Sequence, residues 1–219
     1  MIELGLKVTL AYLVGAVLGS LLVGFLYGGV DIRTVGSGNP GGTNALRTQG
    51  KLFAFWVMVI DIGKGILAAA VIPPLVIPGV GIDPEVDRSL VLYGVAFAAI
   101  LGHVFPVWFG FRGGKGGATA AGLLCYLAPT AALPVIGSWV LIVFLTGFVG
   151  LATMSAALVA AVFLYFTALP EQSGLFVFAC ATAALLIYAH RGNIRRMFDG
   201  TESRFASPFV RWLRRGRQA

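Results

Sequence analysis

The sequence predicts an all-α integral membrane protein of about seven transmembrane helices, with its N-terminus outside and its C-terminus in the cytoplasm. Three observations predict it. Hydrophobic residues make up 58% of the 219-residue chain and charged residues only 11%, a balance no soluble core can use, and mean hydropathy is +0.90. Apolar stretches close to the about 20 residues that cross a bilayer recur along the chain. Lys and Arg are gathered in separate groups between those stretches, as the positive-inside rule requires of a polytopic chain. The pI near 9.9 does not indicate nucleic acid. Residues 190–219 hold eight arginines against Asp199 and Glu202, so +6 of the net +7 is local. Such a cluster reads as a topology signal and an anionic-lipid contact, so membrane lipid is an expected partner.

Residues 4–27 form the first predicted span. They lack a basic start and an Ala-x-Ala pattern, so they are structure and not a signal peptide. Residues 52–77 form the second, bounded by Pro73, Pro74 and Pro78. Asp61 and Lys64 lie three apart inside it, on one helix face. An unpaired charge at mid-bilayer costs roughly 2.5–3.5 kcal/mol, so the two should face protein and each other as a structural pair, a role near the site being the other reading. Asp83, Glu85, Asp87 and Arg88 make an acidic connection to a third span, 89–109. His103 in that span reads as structural, a helix-end hydrogen bond. From Gly116 to Pro170 no residue is charged. With Arg33, Arg47, Lys51, Arg112, Lys115 and the arginine tail inside, and Asp83–Asp87 and Glu171 outside, this stretch must cross an odd number of times. Only three short helices, broken near Pro129/Pro134 and Gly147/Gly150, use all of it. Five spans plus a re-entrant or interfacial segment is the alternative. Residues 175–189 are the last span. Lys7 argues weakly against an outside N-terminus. Cys125 and Cys180 lie in apolar runs without metal spacing and read as small buried residues.

The chemistry lies in three connections that this topology brings to one membrane face. The first is Val35-Gly36-Ser37-Gly38-Asn39-Pro40-Gly41-Gly42-Thr43-Asn44-Ala45-Leu46-Arg47. Its glycines allow positive φ and close backbone approach, so successive N–H groups can line an anion cradle. Thr43 or Asn44 is then positioned to cap a helix whose N-terminus favours an anion, and Arg47 adds a planar fork for phosphate. Gly36, Gly38 and Gly41 match a dinucleotide fingerprint formally, but that motif needs a preceding strand and a later acid. A plain Gly/Pro turn is the other reading. The second connection, Gly110 to Thr119, repeats the logic with Gly113, Gly114, Lys115 and Gly116, a plain positive-inside anchor being the other reading of Lys115. It is not a Walker A loop, since Gly-Lys is followed by Gly116-Gly117 instead of Ser or Thr. At the third, His190 ends the last span and Asn193 lies three residues on, placed to orient a hydroxyl or phosphate, with a snorkelling interfacial histidine as the other reading of His190. The expected intracellular acids are only Asp31, Asp199 and Glu202, which make no metal cluster, so no metal or cofactor is expected.

Together, residues 36–44 with Arg47, then Gly102-His103 through Gly113-Gly114-Lys115-Gly116, then His190-Arg191-Gly192-Asn193-Ile194 and Gly200-Thr201-Glu202, resemble the bacterial acyl-phosphate-dependent glycerol-3-phosphate acyltransferases of the PlsY type. The resemblance runs to about Arg204. It leaves residues 1–204 as a membrane catalytic domain and 205–219 as a basic cytoplasmic tail. It implies an inner-membrane enzyme that moves a fatty acyl group from acyl phosphate to the 1-hydroxyl of glycerol 3-phosphate, releasing lysophosphatidic acid and phosphate on the cytoplasmic side. Carried over by position, Ser37, Arg47, Lys115, His190 and Asn193 would hold glycerol 3-phosphate. Gly38, Asn39, Gly41, Gly42, Thr43, Asn44, Gly113, Gly114, Gly116 and Thr119 would surround the acyl-donor phosphate. The enzyme that makes acyl phosphate is a candidate partner. No Ser-His-Asp set is evident, and neither His103 nor His190 has Asp five residues later, so direct transfer without an acyl-enzyme is expected. A phosphate-ester transporter fits less well, because the cations cluster at one interface and no internal repeat is evident. A headgroup phosphotransferase lacks its acidic metal cluster.

Overall fold

The computed structural model describes residues 1–205 and Phe209. The tail arginines Arg211, Arg214, Arg215 and Arg217 lie outside the described residues. All regular structure among the described residues is helical. One compact unit, Met1–Pro129, contains α1 (Ile2–Gly15), α2 (Gly19–Leu26), α3 (Gly42–Thr48), α4 (Lys51–Val71), α5 (Arg88–Val104) and α6 (Gly117–Leu127). The second unit starts at Thr130 and contains α7 (Ala132–Thr146), α8 (Val149–Ala168), α9 (Ser173–Ala189) and α10 (Arg191–Phe198).

Small residues make the seams of the first unit. A Cβ on Gly15 would overlap the Ala99 carbonyl, and one on Gly102 would overlap that of Tyr12, so α1 and α5 touch backbone to backbone. Gly65 against Thr119 O and Gly122 against Ile62 O do the same between α4 and α6. The Tyr12 hydroxyl donates to Phe105 O at 2.5 Å and fastens the end of the α1–α5 seam.

The first span is not continuous as expected: α1 stops at Gly15 and α2 leaves at 45°. A helix break in an apolar medium exposes backbone groups that must find partners. Here the buried pair supplies them. Lys64 Nζ accepts no proton but donates to Val17 O at 2.6 Å, and Asp61 Oδ1 accepts from Gly19 N–H at 3.2 Å. At the other end of α1, Lys7 (2% exposed) pairs with Glu3 at 2.7 Å and donates to Pro73 O at 2.6 Å. Arg88 Nη1 reaches the same Glu3 oxygen at 2.8 Å. Lys7 is therefore spent on an internal clasp, which removes its weight as a topology signal.

The expected breaks fall at Pro129, where the first unit ends, and at Gly147, whose φ of 74° ends α7 in the left-handed region. Pro134 sits in the first turn of α7, where an N–H has no intrahelical acceptor to lose. Gly150 lies inside α8, where its missing side chain admits Asn193. None of the α7 residues is buried, as suits a helix turned to lipid. Cys125 and Cys180 are exposed, not buried as expected, because they fall on the outer faces of α6 and α9.

Among the described residues four helices are long and apolar enough to cross a membrane, or up to six if α1–α2 and α9–α10 each count as one bent span. The further segment expected after Thr119 is α6, whose 11 residues reach only about 16 Å. That is about half of a bilayer core.

Candidate functional site

The first glycine connection folds around Asn44. This side chain is buried; its Oδ1 accepts from Ser37 N–H at 2.9 Å, and its Nδ2 donates to Ile32 O and Val35 O, both at 3.0 Å. It is a staple within the loop and not the helix cap expected of it. The N-cap of α3 is Gly41, with no side-chain cap. Ser20 Oγ donates to Pro40 O at 3.0 Å and ties the loop to α2. Gly42 lies against Met58 of α4, with no room for a Cβ. The cradle also differs from expectation. Ser37 N–H goes to Asn44, Gly38 N–H to Val35 O at 3.1 Å, and Asn39 N–H to Ser37 Oγ at 3.4 Å. Loop amides 37–39 are thus engaged internally, and helix geometry leaves the first N–H groups of α3, from Gly42 and Thr43, as the outward donors. Ser37 and Arg47 are both exposed beside them.

The second connection lies on the last turn of α5. Gly113 N–H donates to Val104 O at 3.1 Å and Gly114 N–H to His103 O at 3.0 Å. These two glycines are needed for contact, since a Cβ on Gly113 would meet the His103 carbonyl and the Pro106 ring, and one on Gly114 would overlap His103 Nε2. Gly116 takes φ 80° as the N-cap of α6, the conformation glycine adopts without steric cost. Lys115 stands between them, half-buried. Thr119 is fully buried in the α4–α6 seam, where its carbonyl abuts Gly65. The segments that lead into the two connections meet at the Arg33 guanidinium, 5.0 Å from the Phe109 ring centroid. Arg33 is held there by Asp31, at 2.6 Å, and its guanidinium in turn keeps the Asp31 carboxyl below the ordinary carboxylate range.

Beneath the second connection lies a cluster that sequence reasoning recognised only in part. Lys64 Nζ is 2.9 Å from Asp61 Oδ1, the expected pair. His103 Nδ1 joins it, 2.7 Å from Lys64 Nζ and 3.5 Å from Asp61 Oδ1. Nothing in the spacing of His103 from Lys64, 39 residues apart, signals that contact. Asp61 Oδ2 and Thr119 Oγ1 make no hydrogen bond among the described residues.

The third connection belongs to the second unit. His190 is the hinge between α9 and α10, which turn by 53°. Its Nδ1 lies 2.7 Å from Leu186 O. A carbonyl only accepts, so Nδ1 carries a proton. Asn193, one turn later on the same face and also buried, donates from Nδ2 to Glu202 Oε1 at 2.7 Å. Glu202 Oε2 accepts from Arg196 Nε at 2.7 Å. Gly200, at φ 71°, makes the turn that returns Glu202 to Asn193, and Thr201 and Glu202 N–H both bond Arg196 O, at 2.8 and 3.0 Å. Glu202 was assigned no role from sequence. The signal available was an acid in an arginine-rich segment soon after an Asn.

Fold and connections together define an all-helical, multi-pass integral membrane protein with glycine turns that deliver cations and buried polar side chains to helix ends. The profile of the glycerol-3-phosphate acyltransferase family matches residues 6–200. Relatives named glycerol-3-phosphate acyltransferase include that of Chlorobaculum parvum, 38% identical over 90% of this chain and 94% of the relative. That of Chlorobaculum tepidum is 37% identical over 91% and 95%. Crystal structures of PlsY, described as an integral membrane glycerol 3-phosphate acyltransferase, superpose with TM-scores of 0.77 for its glycerol 3-phosphate form and 0.78 for its lysophosphatidic acid form. They share 34% and 33% identity and cover 93% and 95% of this chain, against 96% and 98% of their own. The chain belongs to the glycerol-3-phosphate acyltransferase family, and it is an acyltransferase.

Proposed function

We propose that this enzyme transfers a fatty acyl group from acyl phosphate to the 1-hydroxyl of glycerol 3-phosphate, at the cytoplasmic face of the bacterial inner membrane. The hydroxyl oxygen bonds to the acyl carbon, the acyl–phosphate C–O bond breaks, and the proton leaves with the departing phosphate. The products are lysophosphatidic acid and inorganic phosphate. Both named ligands of the related crystal structures, glycerol 3-phosphate and lysophosphatidic acid, fit this reaction as acceptor and product.

The observation that carries the reading is the Arg33–Phe109 contact. It brings together the chain segments that lead into the connection bearing Ser37 and Arg47 and into the one bearing Lys115, which supports a shared anion site at one end of the first unit. Helix N-termini and guanidinium or ammonium groups bind phosphate by direct hydrogen bonding and charge. In this reading Arg47, Lys115 and Ser37 hold glycerol 3-phosphate, and the starts of α3 and α6 hold the acyl-donor phosphate. An acyl phosphate is already activated, so juxtaposition and charge neutralisation suffice for transfer.

The test is an assay of purified protein with acyl phosphate and glycerol 3-phosphate, without nucleotide or added metal. Release of phosphate and lysolipid is expected, and Ser37→Ala should slow turnover. Isolation of a covalent acyl adduct on Ser37 of the wild type would sink direct transfer, and activity only with an acyl thioester would sink the donor.

A further inference from the structure

Burying an ion pair inside a bundle is a poor way to gain stability, because well-packed apolar side chains serve as well or better. The Asp61–Lys64–His103 cluster is buried at every member, between 1% and 5% exposed, and still leaves Asp61 Oδ2 without a hydrogen bond among the described residues. What distinguishes it is what it touches. Lys64 donates to Val17 O in the α1–α2 break, to Asp61, and to His103 Nδ1. Those contacts use all of the ammonium's three protons. An ammonium cannot accept, so Nδ1 of His103 is the acceptor and its ring proton sits on Nε2. That Nε2 edge is the surface on which Gly114 rests, so closely that a Cβ there would overlap it. The main chain of His103 holds the same residue from behind, through Gly114 N–H to His103 O at 3.0 Å.

We propose that Asp61, Lys64 and His103 are positioning residues for the second glycine connection: Lys64 and Asp61 fix the His103 ring, and the ring fixes Gly114 and hence the place of Lys115. The inference rests on the reading of Lys115 as a substrate ligand. The cluster also couples that connection to the α1–α2 break, so the backbone leading into the first connection and the seat of the second share one buried anchor.

The test reads the connection itself as well as turnover, on full-length protein in detergent. His103→Asn keeps an acceptor close to the Nδ1 position and withdraws the ring from Gly114. Hydrogen–deuterium exchange of the Gly113 and Gly114 amides should accelerate about tenfold or more, with α8 and α9 unchanged. KM for glycerol 3-phosphate should rise about tenfold while kcat changes much less. Gly114→Ala alone should lower kcat/KM about a hundredfold by pushing its Cβ into the ring, and pairing it with His103→Asn should recover about tenfold of that loss. Unchanged exchange at Gly113 and Gly114, exchange accelerated throughout the chain, or losses that simply multiply in the double variant would each overturn the proposal. Faster exchange with unmoved KM would leave the mechanical link standing and remove Lys115 from the substrate site instead.

Discussion

At Asn44 one amide makes three hydrogen bonds that close the first connection on itself. Asn44→Ala leaves two carbonyls and one N–H without that partner, and a buried unsatisfied group costs about 1–3 kcal/mol. Thermal unfolding should therefore show Asn44→Ala destabilised by about 2 kcal/mol or more, and Asn44→Asp should be no better, because both carbonyls require a donor. Wild-type stability in either variant would mean that Asn44 serves a ligand and not the loop. Asp31 gives a pH-dependent counterpart. Its carboxyl is held below the ordinary range by Arg33, so its stabilising contribution is complete above the unfolded-state pKa and disappears as pH falls through the depressed one. Asp31→Asn should flatten that acid-side loss by no more than about 1 kcal/mol, since the pair is partly solvated. A melting series in acid on both proteins checks it. His190→Gln bears on chemistry. If Nε2 takes a proton in the reaction, wild-type kcat/KM falls as acid protonates the ring, and the variant lacks that fall.

Among elements, the seams decide stability. Gly63 and Gly65 lie on the same helix, yet a Cβ on Gly63 meets nothing within 4 Å and one on Gly65 would lie 2.6 Å from Thr119 O. Gly65→Ala should cost about 1–3 kcal/mol by forcing α4 and α6 apart, while Gly63→Ala should be neutral or gain up to about 1 kcal/mol of helix propensity. Equal melting temperatures for the two would refute the seam. The ion pair of α4 offers a second contrast. Lys64→Met strands the Asp61 carboxylate in the interior, with an expected loss of about 3–5 kcal/mol, and adding Asp61→Asn should return part of it. The 3.6-residue period placed Asp61 and Lys64 on one face. That the same pair satisfies a broken helix was not legible, because the break at Gly15 has no proline to announce it and comes from contacts made by α4.

For the whole molecule, the sides of the membrane are the decisive observable. The Arg33–Phe109 contact places the first two connections at one end of the first unit, so Ser37→Cys and Lys115→Cys should react with an impermeant thiol reagent from the same side. The exposed Cys125 and Cys180 must first be replaced. Labelling of the two introduced cysteines from opposite sides would remove the shared site.

Hydropathy, charge grouping and glycine punctuation by themselves determined the helical membrane class, the breaks at Pro129 and Gly147, the Asp61–Lys64 pair and the places of the two glycine connections and the His190 turn. These are properties of local composition and period, and each is written within a few residues. Tertiary structure alone decided that Asn44 staples where a cap was expected, that loop amides 37–39 and 113–114 turn inward, that His103 completes a cluster with Lys64, and that Glu202 orients Asn193. Each of these is a hydrogen-bond partner chosen by packing. A polar group in an apolar medium bonds whichever partner the folded chain brings within 3 Å or so, and its position along the sequence does not say which that will be.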